Sequence, residues 1–168
     1  MPFEEILVLA SSRKLGGRCV AGITRSGEWL RPVCGQPRGL RRAECEVEGR
    51  WPAVLDVVRF GYQERLRDPT QPENVLIDHS AWELKAQVTP AEAYGRLRPF
   101  LTTGTGLLGN RGKAVTEEEA AGGVEASLAL VAPTSGVSFL IRPAEETQGK
   151  LKPRAVFRRR GHPDRDST

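Results

Sequence analysis

The sequence predicts a mainly β protein, a small five-stranded barrel followed by a second, smaller β module, with a short helix between them. Three observations carry this. Glycine and proline supply thirty of 168 residues, a density of turn formers that favours short strands over long helices. The apolar runs are short and bounded by turn residues. The opening stretch, residues 6–33, reads as a three-strand meander: Ile6 to Ala10 and Cys19 to Ile23 flank a turn with Gly16 and Gly17, and Ser26-Gly27 leads into Trp29-Leu30-Arg31-Pro32-Val33.

The remaining elements follow in order. Residues 35–52 are a turn-rich basic connection, and residues 54–62, VLDVVRFGY, make a fourth strand. A loop over Gln63 to Glu73 follows, and residues 74–89 supply the fifth strand. Thr89 is placed to cap a helix with Pro90 at its first position, and Ala93, Leu97 and Phe100 or Leu101 recur at helical spacing. Residues 102–113 are a glycine-rich linker between a first module, 1–101, and a second, 114–168. Residues 126–133, 135–143 and 153–161 read as three further strands. The basic end RRRGHPDRDST adds no apolar closing element, so either it is disordered or the second module is incomplete.

With 39% hydrophobic residues the chain can bury a real core. Its net charge is +4, which suits an anionic partner. The charge is segregated: residues 6–43 carry eight cations against Glu28, and residues 114–149 carry six glutamates against Arg142. No run is long enough to span a bilayer, so no membrane association is expected. Three cysteines, Cys19, Cys34 and Cys45, cannot all pair, and no leader peptide is visible, which predicts a reduced, cytoplasmic setting.

Chemistry-bearing groups point to binding. Ser11 to Arg18 combines glycines able to adopt positive φ with Arg13, Lys14 and Arg18, which could meet phosphate oxygens; the competing reading is a solvated hairpin. The stretch lacks the phosphate-loop order of glycines, lysine and hydroxyl, and it precedes a strand. Trp29 and Arg31 share one face of a strand, opposite Leu30, and form either a stacking platform or part of the core. Trp51 and Trp82 have no comparable basic neighbour and read as core. Cys19 reads as packed core. His79 and His162 belong to no metal or nucleophile pattern, Asp78-His79 reads as the polar end of a strand, and Glu117 to Glu119 diverge on any regular backbone. No catalytic residue, metal or cofactor is therefore expected.

Taken together, ILVLASSRKLGGRCVAGI, GEWLRPV and ENVLIDHSAWELKAQVTP resemble the bacterial dual OB-containing domain family. The most specific part is Lys14, Gly16, Gly17, Arg18 and Cys19, followed by Trp29 to Pro32. The resemblance implies two tandem OB-like barrels, a pattern from which this sequence departs by stopping soon after the third strand of the second unit, and a nucleic-acid- or nucleotide-binding module linked with bacterial conflict systems. In such barrels the loops after the first and fourth strands border the ligand face. That gives a binding set of Arg13, Lys14, Gly16, Gly17, Arg18, Trp29, Arg31, Arg65 and Arg67, with single-stranded nucleic acid or a nucleotide as partner. The alternative is a protein-interaction adaptor without nucleic-acid binding, with a protein partner or self-association through the second module.

Overall fold

A computed structural model describes residues 2–102, 122–134, 136–143 and 151–156. By its contacts the chain divides into two units. The first holds the described residues up to Phe100 together with 122–128, and the second holds the rest.

The first unit is built on β1 (Phe3–Lys14), β2 (Gly17–Ile23), β3 (Trp29–Val33), β4 (Asp56–Arg65), β5 (Asn74–Ile77) and β6 (Glu83–Gln87). Their order is β1-β2-β3-β5-β4-β6, and β1 also pairs with β4, so the first five close on themselves and β6 extends the sheet beside β4. The β3–β5 pairing is parallel, and the others are antiparallel. Closure leaves these five strands without a free edge over their paired lengths. One turn of helix, α1 (Arg42–Cys45), lies between β3 and β4.

Period-two alternation decides what fills the barrel. Ile6 and Val8, Val20, Leu30, Val58 and Phe60, Val75 and Ile77 point inward with Leu40, Cys45, Val47 and Trp82, and all are buried. Trp82 stacks on Phe60 at 5.0 Å between centroids. Leu7, Ile23 and Val57 face outward and would be wet, but α2 (Pro90–Leu97) and the 3-10 turn Arg98–Phe100 cover them with Ala93, Leu97 and Phe100. That helix begins as its sequence demands: Pro90 is at the first position, and Thr89 Oγ1 accepts from the Glu92 backbone N–H at 3.3 Å.

Several expectations change. Residues 74–89 form two strands, because Asp78 turns the chain by accepting from the N–H and Oγ of Ser80 at 2.9 and 2.6 Å, with His79 at φ 63°. Gln63 to Arg65 continue β4, shortening the following loop to 66–73. The basic connection contains α1. Cys34 and Cys45 are core, whereas Cys19 is half-buried and outside the core clusters. Residues 126–133 are not a strand. Instead Ser127 reaches back to the barrel, its N–H and Oγ both donating to the Glu73 carboxylate. In the second unit β7 (Ser138–Pro143) pairs antiparallel with β8 (Leu151–Val156). The 103–113 part of the linker, the Glu117 to Glu119 run, residues 157–161 and His162 lie outside the described residues.

Candidate nucleic-acid interface

The β1–β2 hairpin pairs Arg13 with Arg18 and Lys14 with Gly17, which leaves Leu15 and Gly16 as a two-residue loop. Both loop residues have positive φ, 39° and 77°, the backbone such a tight connection needs to match strand twist. Gly17 has a different reason to be glycine. A Cβ there would sit 2.2 Å from the Leu40 carbonyl oxygen, and one on Gly39 would sit 2.5 Å from the Lys14 oxygen. The hairpin base is thus pressed backbone to backbone against residues 39–40. Arg18 and Leu40 seal that contact with two reciprocal 2.8 Å hydrogen bonds.

The Arg18 guanidinium bends over the hairpin, donating to the Ser11 carbonyl at 2.9 Å and to its Oγ at 3.3 Å. It lies over the Trp51 ring, 5.4 Å from the centroid, an attraction of cation for π face that holds both side chains. Trp51, half-buried against the barrel core, thereby becomes the floor of a shallow depression of about 360 Å³. Its other walls are Arg13, Lys14, Leu15, Gly16, Gly17 and Arg18, with no acidic side chain among them. Arg13 and Lys14 are exposed and make no ion pair or hydrogen bond through their side chains to the described residues.

Two cations next in sequence to residues of this contact, Arg38 before Gly39 and Arg50 before Trp51, are already neutralised. Arg38 makes a bidentate pair with Glu44, both contacts 2.7 Å, and donates to the Gly39 carbonyl at 2.9 Å. That guanidinium, together with the Arg41 backbone N–H, holds the Glu44 carboxyl down at about 2 despite its partial burial. Arg50 is taken up by Asp56.

Four members of the sequence-derived set lie elsewhere. Arg31 is 8% exposed, its guanidinium paired with Glu73 and bonded to Ser127 Oγ at 2.9 Å, so it is a structural ion pair. Trp29, on the same outer face, is half-buried and belongs to neither core cluster. Arg65 ends β4 and is paired with Glu28 and Glu4. Arg67 is exposed in the following loop. Because Glu4 and Lys14 lie near opposite ends of β1, roughly 30 Å apart at strand spacing, the two basic loops do not converge. Trp51 is what sequence reasoning missed: it lies 33 positions from Arg18, and no local pattern announces their stacking.

A barrel in the order β1-β2-β3-β5-β4, closed by β1 and with β3 parallel to β5, is the topology of an OB fold, and residues 4–165 match the model of the dual OB-containing domain. The chain belongs to the dual OB-containing domain family. No curated protein and no solved structure matches it significantly. In this dual OB chain the depression lies at the loop joining the first two strands, one of the loops by which OB folds hold oligonucleotides and oligosaccharides. A second recess of about 580 Å³ lies between the barrel wall and α2, floored by Leu7, Ile23, Val57 and Phe100, with Arg25 and Arg96 also lining it. Among the described residues no three His, Cys, Asp or Glu side chains gather as a metal site would require, and no helix is long and apolar enough to cross a membrane.

Proposed function

We propose that the first barrel is a non-catalytic nucleic-acid-binding module that takes a single strand at the β1–β2 hairpin. The observation that carries this is the gathering of Arg13, Lys14 and Arg18 around Trp51 in one depression without a carboxylate. Phosphate oxygens suit the two exposed cations, and the Arg18–Trp51 stack presents a flat polarizable surface beside them. Trp29 and Arg67 lie outside the depression and could extend contacts along the strand only if it wraps the barrel.

Titration of labelled single-stranded DNA and RNA over a range of salt concentrations tests this. Arg13→Ala/Lys14→Ala removes two cations without touching the Arg18–Trp51 stack, and should lower affinity and reduce the salt slope by about 1.4, since each phosphate contact on a single strand contributes about 0.7. A folded protein that binds neither strand at low salt overturns the reading.

A second reading, a protein-interaction adaptor, is favoured by Val137 and Phe139, 43% and 74% exposed in the second unit. In its self-associating form it predicts concentration-dependent association in sedimentation that Phe139→Ser abolishes.

A further inference from the structure

The hairpin tip carries a residue that its geometry does not favour. A two-residue connection with both φ positive is best served by Asn-Gly or Asp-Gly, yet the first position here is Leu15, at φ 39°. A leucine in that region brings its Cβ against its own carbonyl and is strained. Nor is the strain offset by burial, because the side chain is 73% exposed. Leu15 is therefore unfavourable twice, once for backbone and once for solvation, at a position where asparagine would serve folding better. Such strain at an exposed tip suggests use for contact. What surrounds the tip narrows the contact: Arg13, Lys14 and Arg18 share the depression that Leu15 borders.

We propose that Leu15 enters between two neighbouring bases of a bound single strand, while Arg13 and Lys14 hold the phosphates beside them. Apolar side chains wedged between base steps unstack them in this way. The inference rests on the nucleic-acid reading above and sharpens it: the ligand must present consecutive bases, so it is an oligonucleotide and not a mononucleotide.

The test uses a short single-stranded DNA with 2-aminopurine beside adenine, whose fluorescence rises on unstacking. Wild type should raise it. Leu15→Asn should raise Tm by about 2–6 °C, weaken binding roughly tenfold and abolish the fluorescence rise. Leu15→Met, apolar and flexible, should retain the rise. If Leu15→Asn binds as tightly as wild type with an unchanged fluorescence rise, or if wild type produces no rise on binding, the wedge is overturned while phosphate tracking stands. If Arg13→Ala/Lys14→Ala leaves both affinity and salt slope unchanged, the underlying reading fails as well.

Discussion

Asp56 shows how a single residue can hold two parts of the barrel. Its side chain is 1% exposed and accepts from Arg50 at 2.6 and 3.1 Å, from the Ala53 N–H at 2.8 Å and from Gln87 at 2.9 Å. Burial alone would raise its pKa, but these donors outweigh burial and hold the carboxyl below its usual range. Asp56→Ala should cost about 2–4 kcal/mol in urea unfolding, since it leaves the donors without their acceptor. Glu44 gives the pH dependence its sign. Unfolded, it takes up a proton near 4.5, and folded it resists until about 2. The unfolded state therefore binds more protons across that window, and stability falls as pH drops through it. Glu44→Gln should flatten the decline of the urea midpoint between those pH values, leaving a residual slope from Asp56 and the other depressed carboxylates. For Cys45, burial pushes the thiol up to about 12, so alkylation near neutral pH should spare it until unfolding, while half-buried Cys19 reacts first.

At the scale of elements, the contact between the hairpin and residues 39–40 depends on two glycines facing each other. Gly17→Ala would force a Cβ into the Leu40 carbonyl, and backbone cannot rotate aside as a side chain can. It should cost about 2 kcal/mol or more and part the Arg18–Leu40 hydrogen bonds, read as lowered thermal stability and faster amide exchange at both residues. The helix after Thr89 was legible in the sequence because its cap and Pro90 act on the next turn. The break between β5 and β6 was less so, since no glycine or proline marks it and the chain turns on a side-chain bond from Asp78 to Ser80. Residues 126–133 form a short apolar run of the kind that makes a buried strand, yet Ser127 bonds Glu73, 54 positions away.

At the scale of the whole molecule, closure distinguishes the two units. The barrel strands β1 to β5 bond on both sides, whereas the described pairing in the second unit is β7 with β8. Two-stranded ribbons hold their amides weakly. Hydrogen exchange should show β7 and β8 opening well before the core positions Val8, Val20 and Val58, and equal protection would show that further strands support the second unit. Folding neutralises several arginines of the first unit. Arg31, Arg38, Arg50 and Arg65 pair with acids brought from other positions, and the basic character left in the depression is local to the hairpin tip.

The sequence by itself determined the strands of the opening meander, the capped helix and the glycine-bearing basic turn, because each depends on residues within a few positions of one another. Only the tertiary structure decided which aromatic joins the cations and which arginines remain available. Trp51 meets Arg18 from 33 positions away, and Arg31 is consumed by Glu73 beside the parallel pairing of β3 with β5. Partners of that kind are chosen by barrel closure, which joins residues far apart in sequence and leaves no trace in local pattern.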